Sequence, residues 1–372
     1  MDDITLKDIE IILALQQNPF ATYEELALAT DIPKTTVYEI TKKLESSHSF
    51  TVVAHPNLPQ LGLETIDVFL EADKVHKIQY LEKLALIHPY IAYYARIFGT
   101  YSGMYFQFKI PCGTVDLIQN LLQIMKNTDQ IERFTLLHYK TPPINTTFNF
   151  HAWNPANLSW KFSWKQWFGI PASDSENSGA ENGSGTDSDV KSWLQKRDIA
   201  IINQLAYNAR RPNTKIREEL SKSKWTINDS TLSRRLKLIK RECISSYRLQ
   251  IDPRIFDLVN TVLIWGYGTA DNIRQMAQRM QSHPIPFLSY LKAENYSFYW
   301  YIHLPTYHMS DLLYFLRPIM DEIHLFYVDY PRAINFTMDT DTYNETTKSW
   351  ITDPHVLIDD VLSKLQDTPP KP

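Results

Sequence analysis

A run of basic residues in the second half of the chain has the side-chain types that bind nucleic acid. From residue 195 to 248 there are fourteen Lys or Arg against five Asp or Glu, a net charge of +9. Within this run stands Ser230-Thr231-Leu232-Ser233-Arg234-Arg235-Leu236-Lys237, in which Leu232 and Leu236, together with Ile239, form the apolar face of a helix. Lys and Arg side chains that neutralise phosphates release the counterions of DNA, so this segment is predicted to bind DNA.

The polar residues around this helix divide into three predicted roles. Asn228, Asp229 and Ser230 are suited to capping its N-terminus, and the first turn of such a helix is the part that enters the major groove. Thr231, Ser233 and Arg234 are predicted to reach base edges. Contacts to phosphates, which position a protein without specifying the sequence, are predicted for the remaining basic side chains: Arg235, Lys237, Lys240 and Arg241 on the helix, and Arg210 and Arg211 before it.

A more acidic version of this pattern lies near the N-terminus. Residues 1–55 have four Lys or Arg against nine Asp or Glu, a net charge of −5. The residues placed to contact DNA there are Lys34, Thr35, Thr36 and Tyr38, whereas Glu39 and Asp31 would oppose the contact. Two interpretations stay open: this segment binds DNA, or it is a degenerate arm that packs against another subunit.

The two segments belong to a longer internal repeat with an offset near 195 residues. Asp8-Ile9-Glu10-Ile11-Ile12 returns as Asp198-Ile199-Ala200-Ile201-Ile202, and His88-Pro89 returns as His283-Pro284. The predicted domains are, in order, winged helix-turn-helix 1 (1–57), ferredoxin-like domain 1 (58–142), an aromatic-rich extension (143–170), a flexible linker rich in Ser, Gly and Asn (171–190), winged helix-turn-helix 2 (191–252), ferredoxin-like domain 2 (253–340) and a C-terminal extension (341–372).

Each repeat opens with three helical patterns and a β-rich stretch, which together predict a winged helix-turn-helix with a β hairpin. The third helices are expected at 34–45 and 230–241. The remainder of each repeat alternates strand, helix, strand, strand, helix, strand. This order predicts the α+β class, with a ferredoxin-like sandwich of two helices on one face of an antiparallel sheet in each repeat.

This combination resembles the Lrp/AsnC (feast/famine) family of transcription regulators. The residues that carry the resemblance are the Asp-Ile-x-Ile-Ile openings and the stretch from Ser230 to Lys237, which is very close to the family's usual Ser-Thr-Val-Ser-Arg-Arg-Ile-Lys. The resemblance implies a regulator that binds double-stranded DNA and forms a homo-oligomer through its sheet domains.

The family's effector pocket typically has a Gly-x-x-Asp turn between the middle strands of the sheet domain. In the first repeat this turn is Gly99-Thr100-Tyr101-Ser102, so the resemblance implies a small-molecule effector held at Gly99 and Ser102. In the second repeat the corresponding turn is residues 293–297. Neither of the two turns has the Asp of the family's motif.

Two other functions stay open. Siroheme decarboxylases share this build and use polar residues of the sheet domains on a tetrapyrrole. Here the residues near the corresponding cleft are His303, His308, Tyr290, Tyr299 and Tyr301, with Lys292 where a base would be expected and no Arg/His pairing of the decarboxylase kind. The other alternative is a scaffold or ligand sensor whose winged helices bind protein instead of DNA.

Several classes of protein are excluded by what the sequence lacks. No nucleophile motif, phosphate-binding loop or metal-ligand cluster is found, so no catalytic residue, cofactor or metal is predicted. The two cysteines, Cys112 and Cys243, cannot form a disulfide framework and are predicted to be packing residues. The acidic N-terminus has no apolar signal core, and no stretch approaches the roughly 20 apolar residues of a membrane span. These features predict a cytoplasmic protein with no membrane partner.

Overall fold

The computed structural model describes residues 5–47, 49–154, 159–171, 190–256, 258 and 260–367. The predicted flexible linker, 171–190, lies outside the described residues except for its two end positions. The fold is α+β and begins with a helix-turn-helix.

The first half of the chain, residues 1–171, contains α1 (Leu6–Gln17), α2 (Tyr23–Thr30), α3 (Lys34–Ser46), β1 (Phe50–Pro56), β2 (Leu63–Glu71), α4 (Val75–Ile87), β3 (Ile91–Gly99), β4 (Gly103–Pro111), α5 (Val115–Asn127), β5 (Arg133–Leu137), β6 (Ile144–Thr146), β7 (Trp153–Asn154), β8 (Ser159–Trp160) and α6 (Trp164–Gly169). The second half, residues 190–372, contains α7 (Val190–Trp193), α8 (Lys196–Tyr207), α9 (Asn213–Lys222), α10 (Asp229–Glu242), β9 (Ile244–Ile251), β10 (Asn260–Tyr267), α11 (Ala270–Ser282), β11 (Ser289–Glu294), β12 (Ser297–Leu304), α12 (Thr306–Leu316), β13 (Glu322–Val328), β14 (Ile334–Asn335), β15 (Tyr343–Asn344), β16 (Ser349–Trp350) and α13 (Asp360–Asp367).

Helices α1–α3 form winged helix 1 and helices α8–α10 form winged helix 2. In each of them a stripe of buried aliphatic side chains joins the three helices, for example Leu15, Leu26 and Val37 in the first. Among the described residues, a single strand stands between each third helix and the sheet domain that follows it, so the expected β hairpins are not formed. These two strands, β1 and β9, instead pair with each other in a two-stranded sheet. A partner strand so far along the chain leaves no local turn signal to predict.

The chain divides into two compact units, and each unit contains residues of both halves. Among the described residues, those of Met1–Val52, Tyr139–Gly179 and Arg248–Val328 form unit 1, and those of Val53–His138, Ala180–Tyr247 and Asp329–Pro372 form unit 2. Unit 1 therefore holds winged helix 1 together with sheet domain 2 (β10–β13). Unit 2 holds sheet domain 1 (β2–β5) together with winged helix 2.

The sheet of unit 1 has the order β13-β10-β12-β11-β6, with antiparallel neighbours throughout. Since successive side chains of a strand point to opposite faces, one face buries the apolar residues Val262, Ile264, Trp300 and Ile302. The other face carries polar and aromatic residues: Thr261, Tyr290, Lys292, Tyr299, Tyr301 and His303.

The sheet of unit 2 has the order β5-β2-β4-β3, again antiparallel, and the short strand β14 pairs with β3. Its apolar face is lined by residues such as Val68 and Phe106, which are fully buried. On the opposite face the buried Asp67 carboxylate accepts hydrogen bonds from the Tyr105 hydroxyl at 2.6 Å and from the Gln107 amide at 3.1 Å.

Two arms complete the units. Arm 1, residues 139–171, belongs to the first half and contributes β6 and α6 to unit 1. Arm 2, residues 329–367, belongs to the second half and contributes β14 and α13 to unit 2.

Candidate nucleic-acid interface

The recognition helix of winged helix 2, α10, begins with a strong cap. The Asn228 side-chain oxygen accepts the backbone N–H of Thr231 at 2.8 Å and the hydroxyl of Ser230 at 3.1 Å. The following Asp229 accepts a hydrogen bond from Arg217 of α9 at 2.6 Å. The Asn228 contact satisfies the Thr231 N–H, one of the groups that the first turn leaves without an intrahelical partner.

One face of α10 is buried and the opposite face is basic. Leu232, Leu236 and Ile239 are buried in the winged helix. At helical spacing on the other side, six exposed residues form a surface that we call the recognition stripe: Ser230, Ser233, Arg234, Lys237, Lys240 and Arg241.

Two cations of the recognition stripe are not engaged by the protein. Arg234 and Lys237 have no hydrogen-bond or ion-pair partner among the described residues. Arg241 is paired with the carboxylate of the neighbouring Glu242. Thr231, in the first turn of the helix, is half-buried. The stripe thus offers hydroxyls in the first two turns and positive charge from Arg234 to Arg241, which suits a groove bounded by phosphates.

Arg235 differs from its basic neighbours because its side chain is only 15% exposed. Its guanidinium pairs with the fully buried carboxylate of Asp198 in α8, with Nε at 2.7 Å, and also donates to the Trp193 carbonyl at 3.1 Å. The charge of Arg235 therefore ties α8 to α10 inside the winged helix. The sequence grouped this residue with the phosphate contacts, and the structure places it outside the recognition stripe.

The basic pair before α9 is partly engaged. Arg211 donates to the Gln204 side chain at 2.6 Å and lies over the ring of Tyr207 at 4.8 Å. Arg210 is half-buried beside it, in the turn between α8 and α9. Both are near the surface at the start of α9 and not on α10.

Winged helix 1 presents a different surface. Lys34 is paired with Glu24 at 3.0 Å, and the exposed Glu39 lies on the same helix as Thr35 and Thr36. Tyr38 is half exposed and meets Tyr23 edge-on at 5.2 Å. The four residues predicted to bind DNA thus lie together on α3, with acidic side chains beside them.

Gly99 and Ser102 lie together in the exposed turn between β3 and β4. Directly after this turn, Gly103 of β4 lies so close to β2 that a side chain there would clash with the Leu70 carbonyl oxygen. A groove of about 930 Å³ in unit 2 lies beside winged helix 2, and neither Gly99 nor Ser102 belongs to its lining.

The polar face of the unit 1 sheet gathers most of the residues considered for tetrapyrrole chemistry. The Lys292 ammonium is buried, 5.4 Å from the ring of Tyr290 and 5.8 Å from that of Tyr299. His303, on the same face, shares a hydrogen bond of 2.8 Å with Thr261, and burial lowers the pKa of His303 to about 3.

His308 lies apart from that face, on α12. It is buried against Phe287, with ring centroids 5.1 Å apart, and burial lowers its pKa. Both His303 and His308 are therefore neutral at ordinary pH. No group of three or more His, Cys, Asp or Glu side chains that could hold a metal occurs among the described residues.

The two cysteines differ in environment. Cys243 is buried at the end of α10, and burial raises the pKa of its thiol to about 12, so it is a packing residue as expected. Cys112, in contrast, is exposed after β4. Within the described ranges, no helix is both long and apolar enough to span a membrane.

Comparison with known proteins supports the first winged helix directly. Residues 4–48 match the family model of winged helix-turn-helix DNA-binding domains. This segment is thus similar to winged helix-turn-helix domains that bind DNA. No curated protein matches the chain in sequence.

Among solved structures, the siroheme decarboxylase NirDL is similar along the whole chain. The TM-score is 0.51 at 11% identity, covering 97% of this chain and 99% of that one. The same decarboxylase in complex with an iron-uroporphyrin III analogue gives a TM-score of 0.51 at 10% identity, with coverages of 96% and 99%. AsnC of E. coli covers 39% of this chain and 97% of its own, at 21% identity and a TM-score of 0.31. At these identities the full-length likeness to the decarboxylase establishes a shared fold and nothing about activity.

Proposed function

We propose that this protein is a DNA-binding transcription regulator whose winged helix 2 reads the major groove. The recognition stripe is the observation that carries this proposal. Its basic side chains lie on the exposed side of a capped helix, and Arg234 and Lys237 have no partner among the described residues. Ionic groups held at a surface without protein partners suit a polyanion.

The residues then divide between specificity and positioning. Ser230, Thr231, Ser233 and Arg234 would meet base edges from the first two turns, with Asn228 holding the helix start. The phosphate contacts are assigned to Lys237, Lys240 and Arg241, with Arg210 and Arg211 at the start of α9. Winged helix 1 is assigned a secondary role in DNA binding, through Lys34, Thr35, Thr36 and Tyr38. The carboxylates of Glu24 and Glu39 would lower the affinity of this winged helix for phosphates.

We further propose that the chain is a fusion of two Lrp/AsnC-like units that assembles into a homo-oligomer through its sheet domains. Such an assembly would present two or more basic winged helices to a palindromic or repeated site. A small-molecule effector at the turn of Gly99 and Ser102 is part of this proposal.

Fluorescence anisotropy with promoter DNA tests the assignment. Arg234→Ala should weaken sequence-specific binding about 5- to 150-fold, the equivalent of about 1–3 kcal/mol for one base contact. Arg317→Ala is the matched control, since Arg317 is exposed but belongs to unit 1. Equal affinities of the two variants for the specific site would refute the recognition stripe.

A second candidate is a tetrapyrrole-binding protein related to the siroheme decarboxylases. Two observations favour it: the full-length similarity of fold, and the cationic and aromatic face around Lys292, Tyr290 and Tyr299. Ammonium and phenol groups suit the carboxylates and the ring face of an iron uroporphyrin. Titration with an iron uroporphyrin, followed by visible absorption, should give a saturable change that Lys292→Ala weakens. A spectrum that equals the sum of free protein and free porphyrin would exclude this candidate.

A further inference from the structure

We propose that the two halves of the chain are held together by exchanged arms. Each arm follows the sheet domain of its own half in sequence, and packs instead on the sheet domain of the other half. The surface that receives an arm is thus an interaction surface whose partner is a segment 96 or more residues away along the same chain.

Arm 1 packs on sheet domain 2 through aromatic side chains. Its Phe150 contacts Phe256, with ring centroids 4.4 Å apart, and Trp164 meets Trp300 at 6.0 Å. Trp167 donates its indole N–H to the His283 carbonyl at 2.7 Å. Strand β6 also extends the sheet at β11. The buried aromatic residues of the arm, Phe148, Phe150, Trp160, Trp164 and Trp167, remove about 150–250 Å² each from solvent. That amount is in the range of stable specific interfaces.

Arm 2 packs on sheet domain 1 in a similar way. Strand β14 pairs with β3, and Phe336 next to it stacks on Tyr94 at 5.9 Å. The Tyr90 hydroxyl donates to the Ile351 carbonyl at 2.8 Å. Helix α13 packs against α4, and its Val361 and Leu365 are buried.

Each arm has a tryptophan whose indole N–H makes the same kind of hydrogen bond to the receiving sheet domain. Trp160 lies in the two-stranded sheet β7-β8 and Trp350 in the two-stranded sheet β15-β16. Trp160 donates its indole N–H to the Phe256 carbonyl at 2.9 Å, shortly before β10. Trp350 donates to the Leu61 carbonyl at 2.7 Å, shortly before β2. Each arm is therefore anchored at the same place, the start of the first strand of the other half's sheet.

The arms also reach the winged helices. In unit 1 the Gln16 side chain donates to the Phe148 carbonyl at 3.0 Å. In unit 2 the Asn203 amide makes two hydrogen bonds to the backbone of Met338, of 2.8 and 3.2 Å, and Lys224 pairs with Asp341 at 3.3 Å. Winged helix 2 is thus fastened to arm 2, and arm 2 to sheet domain 1. The orientation of the recognition stripe thus depends on arm 2, which is itself held by the sheet domain of the first half.

The exchange is tested by cutting the full-length folded protein. A protease recognition sequence is placed between residues 172 and 189, and the cut protein is analysed by gel filtration with light scattering at about 1 µM. The two fragments should elute together with the mass of the uncut protein and separate only in denaturant. Fragments that separate under native conditions would overturn the proposal.

A conservative variant tests the recurring anchor without emptying the core. Trp350→Phe keeps an aromatic ring but loses the indole N–H, and dissociation of the cut fragments should become about 5-fold faster, the effect of one neutral hydrogen bond. Trp225→Phe, in winged helix 2 and outside both arms, should leave that rate unchanged. Equal rates for the two variants would overturn the role of the anchor.

The effect on the winged helix rests on the proposed DNA binding and has a separate readout. Asn203→Leu removes both hydrogen bonds to Met338 and should lower DNA affinity about 5- to 10-fold while the cut halves stay together. Asn120→Leu, at an exposed position of α5, is the control. Unchanged affinity in Asn203→Leu would refute the orienting role of arm 2. The elution of the cut protein decides the exchange even if no DNA is bound.

Discussion

Replacing Lys237 and Lys240 by Ala should both weaken DNA binding and reduce its dependence on salt. Five basic side chains of winged helix 2 are assigned to phosphates: Lys237, Lys240, Arg241, Arg210 and Arg211. With five phosphate contacts for each winged helix, the logarithm of the binding constant should fall with the logarithm of salt concentration with a slope of about −4.5. A rise from about 50 to 200 mM salt would then lower affinity about 500-fold. Two contacts fewer reduce the slope to about −2.7 and the loss to about 40-fold.

Fluorescence anisotropy with one labelled duplex, titrated at several salt concentrations, measures both slopes. Lys126→Ala combined with Lys165→Ala removes the same charge from exposed positions outside winged helix 2 and serves as the control. The control should shift affinity slightly and leave the slope unchanged. A slope that stays near the wild-type value in the Lys237/Lys240 variant, or falls as much in the control, would refute the assignment of α10 as the contact helix.

Three further predictions concern the scaffold of the site. Asp198→Asn deprives Arg235 of its buried partner and should lower the free energy of unfolding by about 2–4 kcal/mol, which denaturant titration measures; a loss below about 0.5 kcal/mol would contradict the internal tie. His88 and His303 are buried and neutral, with pKa values of about 3 against 6.5 when unfolded, so the unfolded state binds more protons below pH 6.5. Stability should therefore fall by about 1.4 kcal/mol per pH unit for each of them as pH decreases from 6.5 towards 3. His303→Gln should flatten this dependence in thermal unfolding at pH 7 to 4.5, and a parallel curve would disprove it. Trp164→Ala empties a fully buried position of arm 1 and should cost about 3–5 kcal/mol, so an unchanged thermal midpoint would show that the arm does not contribute to stability.

The sequence predicted the elements of the site well because their signals are local. Helix α10 was expected at 230–241 and spans Asp229–Glu242, since apolar spacing and the Asn228 cap determine it within one segment. The role of Arg235 could not be predicted in the same way. Its partner Asp198 is 37 residues away, and helical periodicity does not distinguish an exposed cation from one paired across two helices.

The pairing of β1 with β9 and the exchange of the arms were missed for a related reason. The aromatic richness of 143–170 marks an extension of the sheet domain, but composition does not identify the surface that the extension covers. Hydrophobic patterns report how much of a segment is buried, and the partner is determined by the topology of the whole chain.

The distance along the chain between an arm and its receiving surface affects how the protein is made. The bond between Trp350 and Leu61 spans 289 residues. At a synthesis rate of about 5–20 residues per second, arm 2 is synthesised roughly 15–60 s after the part of sheet domain 1 that it covers. During that interval the nascent chain exposes an edge strand at β3 and the apolar surface of α4. The growing polypeptide should therefore be a substrate for chaperones on the ribosome, and slow decoding of the second half should reduce the yield of folded protein.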